Sequence, residues 1–399
     1  MPENINIHPI FQSLPSYREG NIAGCYNCNN EAYMVLIQNT TKEYYDRYIS
    51  ALEDEDYICY DKYSLRDNYF ATFHKGSLLV QIYFTAHDNT VHLIADPNTS
   101  LLISRQAAPI LEQCDTTLYQ LELDYRKIDC GMCYVTQCAD YSFFIIDSAH
   151  MDSPMDHERL YKLLKHLTPK EQPIVISGWF FSHAHQDHIY MFMKFLESNF
   201  TNYKIECLYY NFPSLSIPGS QTWKEADKVT MREFNTLIEQ HKEIPVVKLH
   251  TGQRFSVRNL DFNVLSTHED LYPAPLTCFN DSSTILLMSV KGTRTLFLGD
   301  GNVGECTILV SRYGSAIAAD IVQVAHHGYN GSNVGIYYCA NAKTALYPAP
   351  LYKYDLVKAS EANKTVLKIS TEIYIAGEGM AAFPFPYKPG LAKVYPKEL

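Results

Sequence analysis

The sequence predicts an α/β protein carrying a small α+β domain at its N-terminal end. Three observations lead there. Residues 32–95 read as a β-α-β-β-β run, the later chain alternates apolar strand runs with amphipathic helices, and one strand-to-helix loop concentrates histidines beside an aspartate. At 399 residues the chain exceeds one typical core. With 46% hydrophobic and 19% charged residues it lies far from a disordered composition, so packed cores are expected throughout.

Ala32 to Gln38 reads as a strand, and Tyr45, Tyr48, Ile49 and Leu52 then fall at the i, i+3, i+4, i+7 spacing of a helix face. Tyr69 to His74, Leu78 to Thr85 and Thr90 to Ala95 are β-rich runs separated by the turn-like Lys75-Gly76 and His87-Asp88-Asn89. Asp96-Pro97-Asn98-Thr99 interrupts this pattern, and a boundary near Thr116 divides the chain into residues 1–115 and 116–399.

Strands are expected next at Leu118 to Leu123, Met132 to Gln137 and Tyr141 to Ile146, the last ending in Asp147. Ser153-Pro154 supplies an N-cap and a first-turn proline for a helix with an apolar stripe of Leu160, Leu163, Leu164 and Leu167. Ile174 to Phe181 is an apolar run that leads into the histidines, after which Ile189, Phe192, Met193 and Leu196 mark another helix. A polar helix at Trp223 to His241 precedes strands at Pro245 to Leu249, Phe262 to Leu265, Ser283 to Ser289, Thr293 to Leu298 and Ile321 to Ala325. No repeat of 20 to 50 residues interrupts the order.

Charge and composition narrow the function. A net charge of −11, from 33 Lys plus Arg against 44 Asp plus Glu, disfavours nonspecific binding of nucleic acid. No window approaches 18 consecutive apolar residues, and Met1 to Ser16 lacks a basic patch followed by an apolar run, so neither a membrane partner nor export is expected. Eleven scattered cysteines, an odd number, suit free thiols in a reducing cytoplasm.

The chemistry is concentrated in Ser182-His183-Ala184-His185-Gln186-Asp187-His188, where three imidazoles and a carboxylate lie within six residues. Residues i and i+2 of an extended turn can face one divalent ion, while Asp187 and His188, a step further round, can face a second. Histidines also cap helices, but a polar run this dense is costly to bury without metal or hydrogen bonds.

These residues match the HxHxDH signature of the metallo-β-lactamase superfamily, and other segments resemble its further motifs in the expected order. Phe143-Phe144-Ile145-Ile146-Asp147 resembles the first, a strand ending in an Asp that supports the metal loop; Leu296-Phe297-Leu298-Gly299-Asp300 resembles the fourth; Val324-Ala325-His326-His327-Gly328 resembles the fifth. Where the family's third motif has a histidine, this sequence has Phe279-Asn280-Asp281-Ser282-Ser283. That departure, with His-His-Gly, is similar to the branch holding the metallohydrolase domain of DNA-uptake channel proteins and a choline-phosphate esterase, whose substrates are phosphodiesters. Ile189-Tyr190 replaces the family's glycine pair, His185 in place of Glu argues against the diiron flavoprotein branch, and no long insert separates Asp300 from His326.

The resemblance implies an αββα sandwich over residues 116–399 and a hydrolase using two divalent ions, zinc first and manganese or iron as alternatives. It assigns His183 and His185, with Asn280 or Asp281, to one ion; Asp187, His188 and His326 or His327 to the other; and Asp300 as the bridge. His326 is the expected ligand, while Asp187 and His327 are the candidates for relaying a proton to the leaving group. The implied substrate is a small-molecule or cell-envelope-type phosphodiester, or a nucleic acid, which the acidic balance disfavours, with lactone, thioester or carboxyl-ester hydrolysis as the alternative and a metal-binding scaffold of little turnover as a third reading.

Other features are discounted. Cys25-x-x-Cys28 and Cys130-x-x-Cys133 lie about a hundred residues apart, and isolated histidines are surface or core residues by default. His150 could line the cleft, His250 and His268 are reserve candidates for the missing third-motif ligand, and Tyr347 reads as a tyrosine flanking a sheet.

Overall fold

The computed structural model describes residues 6–103, 112–127, 130–150, 153, 155–217, 219–329 and 332–395. The first elements are β1 (Asn21–Asn27), β2 (Tyr33–Gln38), α1 (Lys42–Asp54), β3 (Ile58–Leu65), β4 (Asn68–Lys75), β5 (Leu78–Thr85) and β6 (Thr90–Asp96). They build one antiparallel sheet in the order β1-β2-β6-β5-β4-β3. Tyr45, Tyr48, Ile49 and Leu52 of α1 bury their shared face against Val35, Ile37, Phe73, Val80 and Ile82. The expected run lacked β1 and β3. Both are edge strands, half-exposed and without a clean alternation, so ladder pairing rather than burial makes them strands.

The chain continues through β7 (Thr117–Gln120), β8 (Tyr134–Gln137), β9 (Phe143–Ile146), α2 (Asp156–Leu167), β10 (Ile174–Phe180), α3 (Gln186–Glu197), β11 (Tyr203–Ile205), β12 (Leu208–Tyr210), α4 (Glu225–Gln240) and β13 (Val246–Lys248). There follow β14 (Arg254–Val257), β15 (Leu260–Ser266), β16 (Ile285–Val290), β17 (Thr293–Phe297), α5 (Val303–Tyr313), β18 (Ile321–Gln323), α6 (Val334–Ala340) and β19 (Thr344–Tyr347). The last are α7 (Leu351–Val357), α8 (Glu361–Ile369), β20 (Glu372–Ile375), β21 (Met380–Pro384) and β22 (Lys393–Tyr395). One sheet runs β13-β12-β10-β9-β8-β7-β21-β22 with β11 beside β10, and the other runs β14 to β20 in chain order.

Alternation along each strand divides its side chains between two layers. Val135, Phe143 and Ile145 face α2, α3 and α4, whereas Tyr134, Phe144 and Ile146 meet Phe262, Met288 and Phe297 of the opposing sheet. Phe144 and Phe262 touch across that layer with ring centroids 4.5 Å apart. Gly178 of β10 has no room for a side chain, since an added Cβ would meet Phe144 at 2.7 Å and Tyr209 at 2.8 Å. The far face of the second sheet packs against α5, α6 and α8, giving helix, sheet, sheet, helix. Phe70, Tyr83 and Ile94 of the N-terminal sheet join the same core as Leu265, Leu296 and Tyr313.

Two expected boundaries move. Helix α2 begins at Asp156, with Met155 at its cap position, and the hydroxyl of Ser153 instead donates to the Asp124 carbonyl at 3.0 Å; Pro154 lies outside the described residues. β7 ends at Gln120, before Leu121 to Leu123. No helix among the described residues is long and apolar enough to cross a membrane.

The seam between the N-terminal sheet and the sandwich is polar and buried. His250 lies 2.8 Å from Asp96 Oδ2 through Nε2 and 2.7 Å from Glu269 Oε1 through Nδ1. Burial opposes charge on this ring, but Glu269 and Asp96 outweigh it and push its pKa up to about 9. A folded pKa above the unfolded 6.5 means that the contribution is complete below pH 6.5 and is lost as pH rises through about 9. The melting temperature is therefore expected to fall between these values in wild type, and His250→Gln to melt lower with a flatter profile over that range. A thermal melt series against pH checks this.

Candidate metal centre

β10 is almost wholly buried and carries the chain into the histidine loop, and α3 resumes at Gln186. The loop is held from behind by Asp147, at the end of β9. Its carboxylate accepts from the Ser182 amide at 2.6 Å, the Ser182 hydroxyl at 2.7 Å and Nδ1 of His188 at 2.8 Å. The amide of Ser148 donates to the His188 carbonyl at 2.7 Å, so the segment after β9 is tied to the first turn of α3.

Asp300 follows β17 after Gly299, whose φ is 53° and whose added Cβ would meet Ser182 at 3.0 Å. The Asp300 amide donates to Ser283 Oγ at 3.2 Å, and the Thr284 amide to the Ser182 carbonyl at 2.8 Å, which ties the third-motif segment to the histidine loop. His326 and His327 both lie in the left-handed region, at φ 52° and 53°. This costs roughly 1–2 kcal/mol per residue, and such strain clusters where function needs a side chain aimed.

Two groups of potential ligands result, Asp187, His188, Asp300 and His327 in one, His183, His185 and Asp300 in the other. Asp300 belongs to both, one oxygen to each. Its Oδ1 lies 3.3 Å from His188 Nε2 and 3.5 Å from His327 Nε2, while its Oδ2 lies 3.8 Å from His183 Nε2. Asp187 Oδ2 stands 3.0 Å from His327 Nε2 and 3.6 Å from His188 Nε2, and His183 Nε2 stands 3.0 Å from His185 Nδ1.

Ring orientation is set by partners on the outer side. His183 Nδ1 is 3.0 Å from the Ser182 hydroxyl, which itself donates to Asp147, so this nitrogen carries the proton; His327 Nδ1 donates to the Pro348 carbonyl at 2.9 Å. With His188 Nδ1 on Asp147, all three Nε2 atoms turn inward as lone-pair donors. His188 Nε2, His327 Nε2 and Asp300 Oδ1 are buried with no hydrogen-bond partner, although such atoms are normally satisfied. Burial disfavours charge on Asp300 and Asp187, a cost that bound cations would offset. Inward imidazole nitrogens, orphaned acceptors and ionised carboxylates together fit a pair of divalent cations.

The structure changes three expected placements. His327, not His326, joins the four-residue group, because consecutive left-handed residues send the two rings apart, with planes 65° to each other. A ring whose Nδ1 is engaged by Pro348 and whose Nε2 faces Asp187 is placed as a ligand rather than as a mobile proton relay. His326 instead flanks the group of His183 and His185, its Nε2 3.9 Å from Asp300 Oδ2 and 3.1 Å from the Asn280 amide nitrogen. Asp281 turns away to cap its own turn, accepting from Thr277 and Asn302, so of the two third-motif candidates only Asn280 borders the centre.

His250 and His268 are no substitutes for the missing histidine: His250 is engaged in the seam, and His268 Nε2 is 3.2 Å from Asn211 Oδ1. Neither belongs to a ligand group, nor does His150. Tyr347 is buried and donates to Asn363 at 3.1 Å, and the four cysteines of the two Cys-x-x-Cys pairs form no disulfide. The Pro348 carbonyl was not legible as a site group, because nothing in its local sequence marks what it supports, and Ser283 was legible as part of the third-motif segment but not as the acceptor of the Asp300 amide.

The ligand loops gather at one end of two face-to-face sheets flanked by helices. This is the αββα sandwich that the metallo-β-lactamase resemblance implies. Neither a family model nor a curated protein matches the sequence. Solved structures similar to this chain include the metallo-β-lactamase-fold protein YhfI from Bacillus subtilis, with 13% identity over 65% of this chain and 97% of that one at a TM-score of 0.38. Zn2+-bound PqqB from Methylobacterium extorquens has 10% identity over 65% and 97%, also at 0.38. CmlA, a diiron β-hydroxylase from Streptomyces venezuelae, has 12% identity over 67% of this chain and 53% of its own, at 0.40.

Proposed function

We propose that this chain is a dinuclear metal-dependent hydrolase and that its substrate is a phosphodiester. The observation that carries the first part is the division of Asp300, which offers one carboxylate oxygen to each ligand group. His183 Nε2, His185 Nδ1 and Asp300 Oδ2 would hold one ion; Asp187, His188 Nε2, His327 Nε2 and Asp300 Oδ1 would hold the other. Two ions bound there would lower the pKa of a water and neutralise charge on the reacting oxygens. Zinc suits the nitrogen and oxygen donors best, with manganese or iron as alternatives. An odd, scattered set of eleven cysteines suits a reducing, cytoplasmic setting.

The protein's own residues divide the remaining work. Asp147 and Ser182 fix the ligand loop, and His326, at the outer edge beside Asn280, is placed to pass a proton to a leaving group. Support for an anionic substrate comes from Lys353, whose ammonium sits 3.7 Å from the Tyr329 ring centroid, with Tyr329 in turn 5.4 Å from the His326 ring. A cation held at that edge favours a phosphodiester over a neutral ester.

The test compares bis-p-nitrophenyl phosphate with lactone and thioester substrates on metal-loaded protein. Phosphodiester turnover is expected, and Lys353→Ala should raise its KM about tenfold, the ~1.5 kcal/mol worth of a charged contact, without altering KM for a neutral ester. Turnover of neutral esters alone would remove the phosphodiester reading, and silence in every assay despite bound metal would favour a scaffold.

A further inference from the structure

Every imidazole around the centre has one nitrogen turned inward and one turned out. For His183, His188 and His327 the outward nitrogen is Nδ1, and it meets a group just past the end of β10, β9 or β19 respectively. His185 is reversed: Nδ1 points inward, 3.0 Å from His183 Nε2, and Nε2 points outward to Asp227 Oδ2 at 3.5 Å. Asp227 belongs to the first turn of α4, forty residues downstream of the histidine loop and outside every motif.

We propose that Asp227 is the positioning residue of the first metal. Its carboxylate draws the His185 proton to Nε2, leaves Nδ1 as the lone-pair donor, and makes that imidazole a stronger ligand. The assignment rests on the dinuclear reading above. The helix is anchored for the task, since Gln186 Nε2 donates to Thr230 Oγ1 at 3.0 Å, one turn beyond Asp227, and Phe234 packs against Phe181 and Phe192 of the histidine loop and α3. Side-chain exposures of 15% for Asp227 and 20% for His185 leave the pair only lightly screened. The Phe279 ring lies 5.7 Å from that of His185 and limits its rotation.

Chemical need agrees with this geometry. The first group has two imidazoles and a share of Asp300, whereas the second adds the Asp187 carboxylate. With Asn280 and His326 bordering the first group but outside it, the ion there depends more heavily on the basicity of His185. A carboxylate on the outer nitrogen supplies it.

The experiment measures both zinc affinities of the full chain by chelator competition, for wild type, Asp227→Asn and Asp227→Ala. A cobalt-loaded sample of each reports the ligand field, and a melt of each metal-free protein reports the fold. The first affinity is expected to fall about 10- to 100-fold in Asp227→Ala and less in Asp227→Asn, which keeps an acceptor oxygen without the charge. The second affinity and the metal-free melting temperature should hold, and the cobalt spectrum of the first ion should shift. Two ions bound by Asp227→Ala with wild-type affinities would overturn the assignment while leaving the dinuclear centre intact. A loss of affinity matched by an equally lowered metal-free melt would make Asp227 a structural residue and overturn it too. Wild-type protein that holds no zinc would overturn the centre itself, and Asp227 with it.

Discussion

Asp300→Ala is expected to strip both ions from the chain and to lower hydrolysis by at least about 10³-fold, or ~4 kcal/mol of transition-state stabilisation. The reason is geometric. Every other member of the two ligand groups belongs to one of them, whereas Asp300 belongs to both, so its loss leaves two imidazoles in the first group and two imidazoles with Asp187 in the second. His185→Ala should by contrast remove chiefly the first ion. Metal content per chain, determined by elemental analysis on protein purified without chelator, separates the two cases. Retention of two ions by Asp300→Ala would disprove the bridging role. The far-ultraviolet spectrum should be unchanged, because the loops around Asp300 stay tied through the Thr284 amide to Ser182 and the His326 amide to Gly299.

Asp270→Ala is expected to destabilise the whole chain by about 3–5 kcal/mol and to lower the melting temperature by roughly 10 °C. Asp270 Oδ1 accepts from the Tyr83 hydroxyl at 2.7 Å and from Arg312 at 2.8 Å, and its Oδ2 accepts from Thr251 Oγ1 at 2.6 Å. The guanidinium of Arg312 is 2% exposed, so removing its partner strands a charge in the core. Tyr83 comes from the N-terminal sheet and Arg312 from α5, and the same carboxylate therefore joins the two parts of the molecule. Pairing Asp270→Ala with Arg312→Met should recover much of the loss, since replacing both buried charges removes the unpaired one. A double-mutant cycle from denaturant melts measures the coupling; additive effects would show that the pair carries no special weight.

Much of the centre was readable before any fold was known, because its densest part is local. Within His183 to His188 the chain itself limits how far apart the side chains can lie, and a strand feeding a helix determines which way the loop opens. The apolar stripes of α1 and α2 and the alternation of β8 and β9 were legible for the same reason: periodicity is a property of neighbouring residues. Asp147 and Asp300 were marked by strand ends that resemble a known family's. Their distances from the loop were not.

What tertiary structure alone decided depends on partners remote in sequence. The choice of His327 over His326 follows from two left-handed backbone positions that no propensity of histidine predicts. Asp227 faces His185 from another element, so nothing adjacent to it in the chain marks it. His250, which sequence alone allowed as a metal ligand, becomes a charged link in the seam only because Asp96 and Glu269 close on it from two sides. The edge strands β1 and β3, and β21 pairing back onto β7, likewise gain their hydrogen bonds from distant segments. Sequence by itself determined the local periods and the cluster of ligand types, since both are written within a few consecutive residues; the aim of each ligand and the charge of each buried group were decided by tertiary packing, since hydrogen-bond direction and desolvation exist only once remote segments meet.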